Sequence, residues 1–283
     1  MNTIRLRALL RLFRIELPFA AGVCVVLGQM LALGNRPTLT EAALGFLGVF
    51  CVSAAALIVN DYFDLESDRI NAPDRPLPAG LVTERDVLLL FTIVTLVGFA
   101  AGFFLGWPAL AVLAGVWGVG LLYNWRLKRT GLPGNLMVSF SVGMTFVYGG
   151  VVVGKPFEPV VLLFALLVSL INLGEEIAAD AMDMVGDRHA GSRSLAVRLG
   201  PEGALKVSAS IFFVVVVVSV LPFMFGRLEW VLFVPIAFMD AVIVYSTVRL
   251  LDARITNRRT YIRRIYLSGT VALIIIVAMR MVR

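Results

Sequence analysis

One stretch decides the fold expected of this chain: Asn60-Asp61-Tyr62-Phe63-Asp64-Leu65-Glu66-Ser67-Asp68. It follows directly on a long apolar segment, Glu41 to Val59, that has the length of a membrane helix. Asp61, Asp64 and Asp68 are spaced i, i+3 and i+7, so a helix that continues through the stretch carries all three carboxylates on one face. Asn60 lies four residues before Asp64 and extends that face. The sequence therefore predicts an acidic surface at the end of a membrane helix.

A second stretch, Asp180 to Asp187, repeats this spacing after another long apolar run. A solvated helix end is the plain alternative, but the helix macrodipole opposes each carboxylate there by about 0.3–1 kcal/mol, and the repeated spacing stays unexplained. Mg²⁺ explains it, because this ion binds oxygen ligands and shares them with a substrate phosphate. We therefore predict two acidic faces that oppose each other across a bundle mouth and hold Mg²⁺ ions bridged by a diphosphate. The predicted metal ligands are Asp61, Asp64, Asp68, Asp180, Asp183 and Asp187.

The composition is that of an integral membrane protein. Of the 283 residues 59% are hydrophobic, and the mean hydropathy is +0.91, whereas soluble domains are about 45–50% apolar. Nine runs are long and apolar enough for spans of roughly 20 residues. We predict an all-α polytopic bundle that forms a single domain over residues 1–283. The spans are placed at 15–34, 41–60, 87–105, 107–123, 135–153, 159–177, 206–225, 229–250 and 264–281.

The basic residues orient the predicted bundle in the cell membrane. With the N-terminus inside, 20 of the 25 Lys and Arg residues fall in inner segments. The positive-inside rule then places the N-terminus and both acidic stretches in the cytoplasm and the C-terminus outside. A nucleic-acid partner is not expected, because no soluble basic domain is present to bind one. The basic residues predicted to lie outside are Arg36, Lys155, Arg227, Arg280 and Arg283.

Two cationic side chains are candidates for binding the diphosphate. Arg75 lies in segment 69–80, where three prolines and a glycine predict a stiff, non-helical cap over the cytoplasmic end. Its planar guanidinium can pair two phosphate oxygens. Lys128 follows the fourth span, which ends at Tyr123. This pattern is either a positive-inside anchor with an aromatic belt, or it binds an anionic ligand through Lys128 and orients the reacting group through Tyr123.

A diphosphate at the mouth of a membrane bundle implies a lipid tail below it. Mg²⁺ and the cationic side chains would stabilise the negative charge that builds on a leaving pyrophosphate. An allylic C–O bond would then ionise to a delocalised carbocation, which aromatic faces stabilise and a dry apolar chamber protects from water.

These motifs resemble those of the UbiA superfamily of intramembrane prenyltransferases. The stretch 60–68 resembles the NDxxDxxxD motif of that family, 180–187 its second aspartate motif, and Tyr123 with Lys128 the Tyr and Lys after its fourth helix. The resemblance implies Mg²⁺-dependent transfer of a prenyl group from its diphosphate to an acceptor, with the six aspartates as metal ligands and Asn60 supporting the first metal. It also implies that Lys128 and Arg75 bind phosphate oxygens, while Tyr123 steadies the cation or the leaving group.

Two loops, 71–80 and 131–135, resemble those of members that join geranylgeranyl diphosphate to geranylgeranylglyceryl phosphate, making an ether bond of archaeal membrane lipid. The chain departs from that group at Glu175, where those members usually carry an arginine. Chlorophyll-type and quinone-type members share the Arg-Pro-Leu-Pro character that begins at Arg75. An aromatic quinone precursor or a tetrapyrrole is therefore the alternative acceptor.

A cation-coupled transporter is an alternative of a different class. Two similar halves, acidic helix ends and Asp240 inside the eighth span are compatible with it. Transport sites lie near the bilayer midplane, however, whereas both acidic stretches lie at the cytoplasmic edge. An aspartate inside the membrane costs about 2.5–3.5 kcal/mol, so Asp240 is expected to face the bundle interior and to have a partner there.

Overall fold

The computed structural model describes residues 3–189 and 191–282, with the side chains of residues 4, 71, 185, 187 and 189 outside the described set. Over these ranges the regular secondary structure is helical, which confirms the predicted all-α class. The α-helices of the described chain are α1 Thr3–Leu12, α2 Glu16–Leu33, α3 Leu39–Phe63, α4 Leu65–Asn71, α5 Glu84–Phe104, α6 Trp107–Leu122, α7 Leu132–Val152, α8 Pro159–His189, α9 Leu195–Leu199, α10 Pro201–Ser219, α11 Leu221–Met224, α12 Phe233–Leu251 and α13 Arg259–Val282.

Nine of the described helical segments are long and apolar enough to cross a membrane, as the sequence predicted. They contain α2, α3, α5, α6, α7, α8, α10, α12 and α13. The chain is therefore a multi-pass membrane protein. Loops between consecutive spans reverse the chain direction. The end of α3, the end of α8 and the beginning of α7 therefore meet at one mouth of the bundle.

Several helices extend beyond the predicted spans, and these extensions matter for the site. Helix α8 continues from its predicted end at residue 177 to His189, so the second acidic stretch lies on the helix itself. Helix α5 begins at Glu84, earlier than predicted, because Thr83 forms a capping box with Asp86. The Thr83 hydroxyl accepts the Asp86 N–H at 3.2 Å, and the Asp86 carboxylate accepts the Thr83 N–H at 3.0 Å.

The spans form a ring in which consecutive neighbours pack on one another. Helix α2 contacts α3 and α7, α7 contacts α8, and α8 contacts α10. Helix α12 packs against α10, and α13 contacts both α2 and α8. The largest cluster of buried apolar side chains lies between these helices, whereas a smaller cluster joins α1, α3 and α5 to Leu77 and Val82 of the cap. The cap predicted to be non-helical over 69–80 is non-helical from residue 72, whereas residues 69–71 are the last turn of α4, a correction to the prediction. The non-helical part extends to residue 83, and the buried Leu77 and Val82 hold it on the bundle.

Helices α2 and α7 cross with their backbones almost in contact. A Cβ atom added to Gly149 would lie 2.4 Å from the carbonyl oxygen of Val25, and one added to Gly28 would lie 2.6 Å from the carbonyl oxygen of Phe146. In lipid the association of helices depends on close packing, because the bilayer supplies no hydrophobic force between them. These glycines therefore set the spacing of the two helices.

Asp240 of α12 has the interior position expected for an aspartate inside the membrane. Its side chain is nearly buried, with 7% of the residue exposed. The Ser219 hydroxyl of α10 donates a hydrogen bond of 2.7 Å to Asp240 Oδ2. The pair joins two neighbouring helices and lies apart from the acidic stretches.

The glycine crossing generates a stability prediction. We expect Gly149→Ala to lower the free energy of unfolding by about 1–3 kcal/mol, because the added methyl group overlaps the Val25 carbonyl oxygen. Thermal unfolding in detergent measures the loss. The matched control is Gly118→Ala on α6, where an added Cβ meets no atom within 4 Å in the described structure. Equal melting temperatures for the two variants would contradict the close-packed crossing.

Candidate active site

The first acidic stretch brings two nearly buried carboxylates to one guanidinium. Asp61 is 2% exposed and Asp68 is 6% exposed. Arg75 Nη1 lies 2.5 Å from Asp68 Oδ2 and 3.8 Å from Asp61 Oδ1. Arg14, in the turn that precedes α2, forms a second ion pair with Asp61. Arg75 from the cap and Arg14 from the turn before α2 thus supply the positive charge that balances these two carboxylates.

The prediction of a helix that continues through the first stretch is wrong at Asp64. Helix α3 ends at Phe63, Asp64 has φ −91° and ψ 0°, and α4 begins at the next residue. The Asp64 side chain pairs with Lys128 from beyond α6. Like charges on one helix face repel each other, and the interruption gives the middle carboxylate a cation of its own.

Lys128 is positioned by a change of helix type. Helix α6 passes into a π-helix, Tyr123–Leu127, and then into a short 3₁₀ turn, Lys128–Thr130. π-Helical turns within α-helices are frequent at functional sites. Here the turn places Asn124 against α3, where its side-chain NH₂ group donates to the carbonyl oxygen of Ala56 at 3.2 Å. The same group donates to the carbonyl oxygen of Gly120 on α6 at 3.1 Å.

Asn60, predicted to support the first metal, is held by this same asparagine. Asn60 Nδ2 donates to Asn124 Oδ1 at 2.7 Å. Asn124 is 8% exposed, so the amide pair is an interior link between α3 and the π-helix. The link fixes the helix that carries Asp64 relative to the segment that carries Lys128.

The second acidic stretch lies on the last turns of α8. Asp180 Oδ2 accepts a hydrogen bond of 2.9 Å from Asn135 Nδ2 at the beginning of α7. Asp183 pairs with Arg259 at the beginning of α13. The side chain of Asp187, the third predicted ligand, lies outside the described residues. The two described aspartates are thus anchored to two different neighbouring helices.

Tyr123 is the first residue of the π-helix, directly after α6. A Cβ atom added to Gly134 would lie 3.4 Å from Tyr123 Cε2, so the ring packs against the first turn of α7. The position is consistent with the predicted place of this tyrosine beside Lys128. Its role in orienting the reacting group stays a prediction.

Four polar residues that the fold brings to the two acidic stretches are not assigned to the site by the sequence motifs. Two are cations, each at the beginning of a span, and two are asparagines, each near the end or the beginning of a span. A signal was present, since polar side chains at membrane helix ends often serve a site, but their partners are distant in sequence. These residues are Arg14, Asn124, Asn135 and Arg259.

In the mouth, the described carboxylates pair with side-chain cations or, at Asp180, with an amide. No three Asp, Glu, His or Cys side chains converge on one point within the described set. Each of the five aspartates whose side chains are described instead contacts a guanidinium, an ammonium or an amide. Such a mouth can exchange these partners for a multivalent cation and an anionic substrate that arrive together, because the total charge then changes little.

A profile of the UbiA prenyltransferase family matches residues 21–278. The chain belongs to the UbiA prenyltransferase family. The predicted resemblance to the UbiA superfamily is thereby confirmed, and this family member is a membrane prenyltransferase. The family assignment sets aside the transporter alternative.

Curated and solved relatives agree with this assignment. Digeranylgeranylglyceryl phosphate synthase of Halobacterium salinarum (strain ATCC 29341 / DSM 671 / R1) is 39% identical over 228 residues, which are 79% of this chain and 80% of the relative. A solved structure concerning digeranylgeranylglyceryl phosphate synthase in membranes has a TM-score of 0.75 and 25% identity, covering 97% of this chain and 98% of the other. A UbiA homologue from Archaeoglobus fulgidus bound to GPP and Mg²⁺ has a TM-score of 0.69 over 94% of this chain and 96% of the other. At 18% identity it shows that the fold is shared.

The amide link of this UbiA protein is testable by its effect on stability. We expect Asn124→Ala to lower the free energy of unfolding by about 1–3 kcal/mol, because the half-buried Asn60 amide loses its acceptor. Thermal unfolding in detergent is the measurement. Ser141→Ala is the control, since that hydroxyl bonds only to Met137 of its own helix, at 2.9 Å. A variant as stable as the control would show that the link contributes nothing.

Proposed function

We propose that this protein transfers a geranylgeranyl group from geranylgeranyl diphosphate to geranylgeranylglyceryl phosphate, forming an ether bond of archaeal membrane lipid. The observation that carries the proposal is the meeting of both aspartate stretches at one mouth of a UbiA bundle. The name of the relative from Halobacterium salinarum supports this acceptor, as do the two loop segments 71–80 and 131–135.

The residues of the mouth fit Mg²⁺. The available donors are carboxylate and amide oxygens, which this hard cation prefers. The Arg75 guanidinium between Asp61 and Asp68 shows that the two buried carboxylates share positive charge. When bound, Mg²⁺ neutralises the diphosphate and stabilises the pyrophosphate as it leaves. The proposed ligands are Asp61, Asp64, Asp68, Asp180, Asp183 and Asp187.

At the first acidic stretch, Arg75 and Lys128 are more accessible than their carboxylate partners. The side chain of Arg75 is 36% exposed and that of Lys128 is 39% exposed. The side chains of their partners, Asp68 and Asp64, are only 8% and 14% exposed. Each cation can therefore swing from its carboxylate to a phosphate oxygen without unfolding the site. There it neutralises the charge that grows on the leaving group. The carboxylates that the cations release become available as oxygen ligands.

The reaction proposed for this site is an ionisation followed by capture. The allylic C–O bond to the diphosphate breaks, and the electron pair leaves with pyrophosphate. The acceptor hydroxyl oxygen then bonds to the carbocation, and its proton passes to pyrophosphate or to an aspartate carboxylate. Tyr123, packed against the first turn of α7, steadies the cation or the leaving group.

The proposed orientation places this chemistry at the cytoplasmic face. The mouth with both aspartate stretches is the end of the bundle where the basic loops collect, and the positive-inside rule assigns that end to the cytoplasm. The C-terminus then lies outside. We propose that residues 1–283 act as one domain, because the site takes side chains from α3, α7, α8 and α13.

One observation favours the alternative acceptor, an aromatic quinone precursor or a tetrapyrrole. Glu175 stands on α8 where an arginine would suit a phosphate-bearing acceptor, and its Oε1 is buried with no hydrogen-bond partner among the described residues. A carboxylate repels a phosphate but accepts a hydrogen bond from a phenol or an alcohol. The choice of acceptor is therefore tested directly.

Replacement of single metal ligands tests the site. We expect Asp61→Asn and Asp183→Asn each to lower turnover by more than about 100-fold, because a neutral amide cannot balance the charge of the ion and diphosphate. Initial rates with labelled geranylgeranyl diphosphate measure the loss, and melting temperatures show that the variants fold. Asp252→Asn is the control, since this aspartate has a partly exposed side chain and pairs only loosely, at 4.0 Å, with Arg249. Near-wild-type rates in either site variant would refute the assignment.

A comparison of acceptors tests the substrate. Purified protein with Mg²⁺ and labelled geranylgeranyl diphosphate is given geranylgeranylglyceryl phosphate, 4-hydroxybenzoate or a chlorophyllide. We expect product only with the first acceptor, and its loss when EDTA removes the divalent ion. Product only with 4-hydroxybenzoate or the chlorophyllide would transfer the assignment to the alternative acceptor. Undiminished product in EDTA would exclude the metal.

A further inference from the structure

A basic cleft opens beside the aspartate mouth, between the segment after α6 and the segment after α8. Its volume is about 630 Å³. Three arginines line it, Arg129, Arg193 and Arg198, and all three are exposed. The apolar part of the lining comes from Leu132, Pro133 and Leu195.

The cleft is held in shape by backbone contacts. The Arg193 N–H donates to the Arg129 carbonyl oxygen at 3.1 Å. Gly131 has φ +77°, and a Cβ added there would lie 2.2 Å from the Arg193 carbonyl oxygen. The two segments therefore touch at a position that excludes any side chain. This contact keeps the arginines of both segments around one space.

The positive charge of the cleft is not balanced within the described structure. None of the ion pairs found among the described side chains involves its three arginines. The beginning of α7, a helix of 21 residues, adds the positive end of its dipole beside Leu132 and Pro133. Three like charges without an acidic partner among the described side chains favour an anionic occupant.

The cleft is separate from the aspartate mouth. Lys128 and Asn135 direct their side chains to Asp64 and Asp180, while residues 129–133 between them line the cleft. Segment 128–135 is thus a wall with the aspartates on one side and the arginines on the other. None of the aspartates whose side chains are described lines the cleft.

We infer that this cleft binds the phosphate headgroup of an anionic membrane lipid. The arginines match phosphate oxygens through their planar forks, and the apolar lining suits the glycerol and upper acyl region of an amphiphile. The cleft lies at the ends of spanning helices, where headgroups are found, and its volume far exceeds that of a free phosphate. Since the wall between cleft and mouth carries Lys128, a bound headgroup would also brace that lysine.

The test measures lipid binding and does not depend on catalysis. The purified full-length protein is titrated in detergent with a phosphatidylglycerol and, separately, with a phosphatidylcholine, and native mass spectrometry gives the dissociation constant of the first bound lipid. We expect phosphatidylglycerol to bind more tightly. The double variant Arg193→Gln/Arg198→Gln should weaken its binding by roughly fivefold for each arginine removed.

The controls separate the cleft from general surface charge. Arg85→Gln removes an exposed arginine at the same end of the bundle and should leave binding unchanged. Arg129→Gln provides an independent single variant should the double variant not fold, with an expected loss of roughly fivefold. Equal binding of the two lipids, or unchanged binding in the cleft variants, would overturn the inference. Complete displacement of phosphatidylglycerol by millimolar inorganic phosphate would overturn the lipid assignment in favour of a free phosphate ligand.

Discussion

A carboxylate that is almost buried at the end of a membrane helix needs a positive partner, because desolvation of an unpaired charge costs several kcal/mol. Asp61 and Asp68 obtain theirs from Arg75 and Arg14, which come from the cap and from the turn before α2. Removal of one partner from a buried pair costs about 3–5 kcal/mol. The positions of the cap, of the turn before α2 and of the end of α3 therefore depend on one another.

The charges that hold the mouth together also define what it can bind. The exposed cations Arg75 and Lys128 shield carboxylates that are themselves nearly covered. Metal ions alone would have to displace these cations at an electrostatic cost, whereas a diphosphate that arrives with them gives the cations new partners. The arrangement explains physically why metal and diphosphate should bind together and why the protein keeps an acidic site stable between turnovers.

The sequence predicted the class, the nine spans, the non-helical cap and the two acidic helix ends, since each depends on local hydropathy, proline content or spacing. It did not predict the break at Asp64, whose side chain pairs with Lys128 from a segment distant in sequence. Asn124 and Asn135 were missed for the same reason, as helical spacing indicates which residues share a face but not what lies opposite. The length of α8 was underestimated because hydropathy falls where the acidic turns begin, although the helix continues to His189.

We propose that metal and diphosphate bind to this mouth together, as one unit. Isothermal titration with the unreactive analogue geranylgeranyl thiodiphosphate, at several Mg²⁺ concentrations and in EDTA, tests it most directly. We expect the analogue to bind at least tenfold more tightly in saturating Mg²⁺, and to tighten Mg²⁺ binding by the same factor, since linkage is reciprocal. Equal affinity for the analogue in Mg²⁺ and in EDTA would contradict the account.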